Sequence, residues 1–274
     1  MKKLIVLIIA LSCCIVSWAG CPEQIKAFYS EYMHNLMHGN DSQNKGLCEK
    51  YITRALIQKI QRISYATGAD AIIRAQDVNE AAIQSLYVED LGDNWYLVHY
   101  LWDIDDKGSD TEIPLKVQKA GDTCQIVYIT PVWSGSLYGD KLLSNKEIVP
   151  REISQKSGQA FLESFYKTYL NPYIRISENL QPDLEILRTK YLTRNAAQEF
   201  NLAEQNQLAD GVKGYDLLID NFDFDYLWHK SLHISSLGDN YIVEYKSGDK
   251  VHKIVISLKK CNGNYFIDGI STGC

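Results

Sequence analysis

The sequence has no long run of Lys or Arg, no Cys-x-x-Cys, and none of the short motifs that announce common chemistries. A net charge of −6 without a basic cluster argues against a nucleic-acid or anionic-membrane surface. Lacking Cys-x-x-Cys, it signals neither a thioredoxin-like centre nor a zinc knuckle. No His-Glu-x-x-His, Gly-x-Ser-x-Gly elbow or phosphate loop occurs. His34 and His38 share one face of a helical pattern, but nothing supplies a third ligand, so no metal and no cofactor are expected. Asp103, Asp105, Asp106 and Asp110 begin like a calcium loop. Lys107 and Pro114 fall where that loop needs ligands, and a solvated hairpin turn is the better account.

Long apolar runs are equally scarce. The exception, Leu4 to Ile15, follows Met1-Lys2-Lys3 and precedes Ser17-Trp18-Ala19-Gly20-Cys21. That is a charged start, an apolar core and a small-residue cleavage region, so residues 1–20 read as a signal peptide and the chain as exported. The run is too short for an ordinary membrane span. Two processing routes stay open: cleavage after Ala19, or lipidation of Cys21, since Ala19-Gly20-Cys21 resembles the end of a bacterial lipobox. Cys13 and Cys14 leave with the leader. Cys21, Cys48, Cys124, Cys261 and Cys274 remain, an odd number that leaves one thiol for another role. With Cys21 lipidated, Cys261 would bridge Cys274 across a terminal hairpin and Cys48 would bridge Cys124. The alternative is that some of them stay buried thiols.

What the chain does contain is a repeat. Residues 68–94, GADAIIRAQDVNEAAIQSLYVEDLGDN, align without a gap with residues 214–240, GYDLLIDNFDFDYLWHKSLHISSLGDN. Phe28-Tyr29 to Tyr32-Met33 return as Phe165-Tyr166 to Tyr169-Leu170, and Lys50-Tyr51-Ile52-Thr53-Arg54 as Lys190-Tyr191-Leu192-Thr193-Arg194. Ile25, Phe28, Tyr29, Tyr32, Met33 and Leu36 have helical spacing, and a second helix is expected from near Leu47 through Ile63. Beyond Leu86 the pattern changes to short strands around Trp95–Trp102, Ile113–Val117 and Gln125–Thr130, separated by turn residues. The second half repeats this with strands at Tyr241–Lys246, Lys253–Leu258 and Asn264–Ile270. The reading is α+β: a first domain over 21–133, a linker over 134–156 and a second domain over 157–274.

Helices with an aromatic stripe, a Lys-Tyr-Ile/Leu-Thr segment, Gly68-x-Asp70 and Gly214-x-Asp216, and a terminal meander resemble the nuclear transport factor 2-like superfamily. Within it the chain is similar to exported Bacteroides-type domains of unknown function, here in two tandem copies. The resemblance implies that each copy is a cone, with helices packed on a curved antiparallel sheet around a concavity. It also implies a periplasmic or outer-membrane-associated lipoprotein of a Gram-negative bacterium.

Asp77 and Asp223 lie amid apolar neighbours in both blocks. Each reads as a polar group facing the concavity, or as a cap or buried turn acceptor. Tyr29, Tyr32 and Tyr51, with Tyr166, Tyr169 and Tyr191, form a repeated aromatic set that could line a pocket or pack in the core with bonded hydroxyls. These eight are the candidate ligand-binding residues, and no catalytic residue is named. Trp95, Trp102, Trp133, Tyr226 and Trp228 are weaker candidates for a partner surface. The function expected is a non-enzymatic binding or protein-interaction module of the cell envelope. Its partner would be a small molecule or an envelope protein, and its membrane contact only a lipid on Cys21. The alternative is a hydrolase or isomerase using Asp77 or Asp223 as general base. A third reading is a structural component of a surface assembly.

Overall fold

A computed structural model describes residues 20–131, 152–211 and 213–273. The apolar stripe of the first helical segment makes α1 (Cys21–Met37), which buries Ile25, Phe28, Tyr29, Tyr32 and Met33. The helix expected from Leu47 to Ile63 is instead two, α2 (Asp41–Tyr51) and α3 (Arg54–Thr67). The chain breaks between them because Ile52 and Thr53 are extended: Ile52 bridges Ile126, and the Thr53 amide donates to the Ile126 carbonyl at 3.1 Å. Gly68, at φ 69, closes α3 in the left-handed conformation that only glycine adopts without strain. A short α4 (Glu80–Gln84) follows, capped by the Asn79 side chain. The first sheet is β1 (Tyr87–Gly92), β2 (Trp95–Leu101), β3 (Asp110–Ala120) and β4 (Thr123–Ile129), antiparallel in chain order.

The second unit has the same order of elements. Its helices are α5 (Gly158–Ile174), α6 (Leu180–Tyr191), α7 (Arg194–Ala209) and α8 (Tyr226–His229). Its sheet is β5 (His233–Leu237), β6 (Asn240–Ser247), β7 (Lys250–Cys261) and β8 (Asn264–Thr272). Leu192 and Thr193 separate α6 from α7 by bonding to Ile267, as Ile52 and Thr53 bond to Ile126. The Lys-Tyr-Ile/Leu-Thr segment is thus a helix break stitched to a sheet edge.

The α+β class stands, as two helix–sheet units, but the cone-shaped nuclear transport factor 2-like fold does not. Each sheet is an open meander; β1 does not meet β4, nor β5 β8, and neither sheet closes or curls. Neighbouring strands pair antiparallel in chain order, and the first and last strand of each sheet do not pair with each other. The expectation of two tandem members of that superfamily falls with it.

Each unit has its own core. The first packs α1 residues against β2, β3 and β4; the second centres on Phe161, Phe165, Tyr169, Trp228 and Tyr245 and also takes in Ile63, Ala71 and Trp95 of the first unit. The units are therefore sutured along α3. Cys21 is bridged to Cys124, with Cα atoms 5.5 Å apart, which ties the start of α1 to β4. This corrects the pairing of Cys124 with Cys48, which is a free, half-buried thiol. It also leaves Cys21 no thiol for a lipid. Cys261 is free and exposed. Cys274, the leader and most of the 134–156 linker, with Trp133, lie outside the described residues. Among the described residues no helix is long and apolar enough to cross a membrane.

Candidate functional site

Helices α1, α2 and α3 of the first unit do not meet fully. Between them lies a groove of ≈ 850 Å³, lined among others by Tyr32, Leu36, Cys48, Ile57, Ile60 and Asp70. That is the size of ordinary small-molecule sites, about 300–1,000 Å³. Asp70 follows the glycine that ends α3, and its Oδ1 accepts from the Ile72 amide at 2.7 Å, pinning the next turn. Its Oδ2 accepts the Tyr32 hydroxyl at 2.6 Å. Burial, then the Asp70 charge beside it, pushes the Tyr32 phenol well above its ordinary value, so it stays a hydrogen-bond donor. Burial, followed by Asp70 and Glu49, pushes the Cys48 thiol up to about 12, which keeps it protonated and unreactive at neutral pH. Lys45, Glu49 and Arg54 add charge to the lining, and Asn44, Gln58 and Gln61 add polar groups.

The second unit builds the same corner and then fills it. Asp216 accepts the Leu218 amide at 2.9 Å and the Tyr169 hydroxyl at 2.6 Å, as Asp70 does with Ile72 and Tyr32. It also accepts the Tyr173 hydroxyl at 2.7 Å, and the Arg188 guanidinium lies 3.9 Å away. Arg188 donates to Tyr169 Oη at 3.2 Å, pairs with Glu185 at 3.0 Å and lies 4.7 Å over the Phe200 ring. By the sequence alignment and the helix break, Tyr173, Arg188 and Phe200 stand where the first unit has Leu36, Cys48 and Ile60. Smaller, uncharged side chains at those places leave the first corner open. Asp216 is 3% exposed; burial pushes its carboxyl up, against Arg188 and the two phenols that stabilise its charge.

The eight residues expected to bind ligand are scattered. Tyr32 lines the groove, and Tyr169 holds its filled counterpart. Tyr29 is a core residue with a buried, unpartnered hydroxyl, while Tyr166 donates to the Leu218 carbonyl. Tyr51 and Tyr191 pack their rings beside Phe28 and Phe161. Asp77 is exposed, and among the described residues its side chain accepts from the neighbouring Val78 amide, the bond of a tight turn. Asp223 is 0% exposed, and its two oxygens take Lys59 Nζ and Arg62 Nε of α3, each at 2.7 Å. It faces α3 of the other unit. Neither aspartate lines the groove between α1, α2 and α3. Trp95 and Trp228 are buried, so they form no partner surface; Trp102 is 36% exposed.

Three residues went unnamed as site residues from sequence. Asp70 entered only through the Gly68-x-Asp70 motif, Cys48 as half of a disulfide, and Lys59 was not singled out. A second cluster was also missed. His99 on β2 faces Asp110 at 3.4 Å and Glu112 at 3.8 Å on β3, with Glu89 of β1 at 3.7 Å. His99 and Glu112 are direct cross-strand partners on the solvent face. One donor atom each from His99, Asp110 and Glu112 lies within 4.8 Å of the others, a set that could hold a divalent cation. The corresponding pair in the second sheet is Glu244 opposite Lys253.

No family model matches the chain, and no curated protein does. Among solved structures, a protein of unknown function from Bacteroides thetaiotaomicron VPI-5482 is similar. It is 33% identical over 40% of this chain and 88% of its own, with a TM-score of 0.38. A TM-score of that size carries no argument about the fold, and with no matching family model the superfamily assignment is withdrawn.

Proposed function

We propose that the protein is an exported binding module whose ligand seats in the groove between α1, α2 and α3. The observation that carries this reading is the contrast between the units: one corner built on an acid, a phenol and a pinned turn is plugged by the chain itself, and its counterpart is open. A carboxylate beside the apolar side chains of the groove, with a fixed hydroxyl next to it, is suited to orienting a ligand. Export to the envelope is supported by the leader pattern and by the Cys21–Cys124 bridge, which suits an oxidising compartment. Leu36→Tyr copies the second unit's plug. It is expected to keep the fold, measured by circular dichroism, and to abolish the thermal shift given by any ligand found in a metabolite screen. Unchanged shifts in that variant would place binding elsewhere.

The enzyme class is favoured by one observation, the His99, Asp110 and Glu112 cluster. Those groups could carry a divalent cation for hydrolytic chemistry. Titration with Zn²⁺ or Mn²⁺ of the natural chain and of His99→Ala decides this reading: a heat of binding lost in the variant supports it, and no heat removes it.

A further inference from the structure

We infer that the ligand of this groove carries a guanidinium group, which occupies beside Asp70 the place that Arg188 occupies beside Asp216. The inference rests on the binding reading above and specifies its chemistry. In the second unit the carboxylate receives an amide, two phenols and a guanidinium that also bonds one of those phenols. In the first unit the same carboxylate receives the amide and one phenol only. What is missing is a second phenol, replaced by Leu36, and a cation with several N–H donors, replaced by Cys48. The volume those side chains vacate, with the change from Phe200 to Ile60, is continuous with the groove.

Charge and shape select the group. Asp70 is a half-buried carboxylate, and a cation reaching it sheds much of its water, which favours the weakly hydrated, planar guanidinium over an ammonium. By the same alignment Lys45 stands where Glu185 does, so the second carboxylate of the lining comes from a different place on α2, Glu49, next to Cys48. The Tyr32 hydroxyl oxygen is placed to accept from a guanidinium as Tyr169 Oη does. Ile57 and Ile60 flank the stem of such a ligand with apolar surface. Lys45 and Arg54, the cations of the same lining, suit a carboxylate on the ligand's other end. A guanidinium could come from free arginine or from an arginine-ended peptide, and the recognition is the same in either case.

Calorimetric titration of the bridged protein with L-arginine, with a short peptide ending in Arg, and with L-citrulline tests this. Citrulline keeps the shape and lacks the charge. Binding of arginine or the peptide, with citrulline at least about tenfold weaker, is the expected result. The stronger arm identifies the source. Asp70→Asn keeps an oxygen for the Ile72 amide and is expected to lose the preference for charge. Cys48→Arg supplies the guanidinium from the chain itself and is expected to abolish binding while folding normally. Equal binding of citrulline, undiminished binding in Cys48→Arg, or no binding of either arginine form overturns the inference. If Leu36→Tyr still blocks some other ligand, the groove reading survives that failure; if it blocks none, both fall.

Discussion

Lys59 lies 1% exposed on α3, with its ammonium 2.7 Å from Asp223, 3.6 Å from Asp225, and donating to the Phe224 and Tyr173 carbonyls of the other unit. Tyr128 closes the group by donating to Asp225 at 2.9 Å. A buried charge set of this kind is costly to assemble and costlier to leave half made. Lys59→Met strands two carboxylates with Arg62 alone. It is expected to destabilise the protein by about 3–5 kcal/mol, read as a lower urea midpoint at unchanged slope. A loss under about 1 kcal/mol would mean water replaces the cation. The signal for this residue was present in the sequence: Lys59 shares a helix face with Leu56 and Ile63, and a charge on an apolar stripe needs a buried partner. What no pattern showed was that the partner lies more than a hundred residues away, since ion pairing leaves no periodicity.

At the scale of elements, strands and helices followed the apolar spacing, and the misplaced boundary between α2 and α3 had a local cause. Ile52 and Thr53 are both β-branched and favour extended backbone, and pairing with the Ile126 edge holds them there. The short α8 yields a pH prediction. Burial, with Lys167 adding to it, holds His229 below the ordinary 6.5. The unfolded chain therefore takes up the proton first as pH falls. The stability this group contributes is present above about 6.5 and is lost below it, until the folded value is reached. Melting temperature measured from about pH 8 to about pH 5 should fall less steeply in His229→Gln than in the natural chain. Parallel curves would show that His229 is not protected in the fold.

For the whole molecule, the Cys21–Cys124 bridge closes a separation of 103 residues and so joins the first helix of the first unit to its last strand. On chain-entropy grounds such a loop contributes about 4–5 kcal/mol, of which strain and residual structure usually leave about 2–5. Cys124→Ser should lower the denaturation midpoint accordingly and make it insensitive to reductant. A midpoint in the natural chain that reductant does not move would refute the bridge. The sequence left the cysteines open among several pairings, because spacing along a chain does not specify which β-carbons approach.

The sequence by itself determined the elements, their order and the correspondence between residues 68–94 and 214–240, because apolar periodicity and turn chemistry are local properties. It did not determine that the sheets stay open, since strand patterns are the same in an open meander and a curved one. Nor could it say which aspartate meets a groove. Asp70 and Asp216 share one local geometry, as do the turns at Asp77 and Asp223. Packing then gives Asp216 the Arg188 guanidinium, gives Asp223 the Lys59 ammonium, leaves Asp77 in solvent and leaves Asp70 beside an open space. Those four outcomes depend on side chains brought together from distant elements, which is a property of the tertiary structure alone.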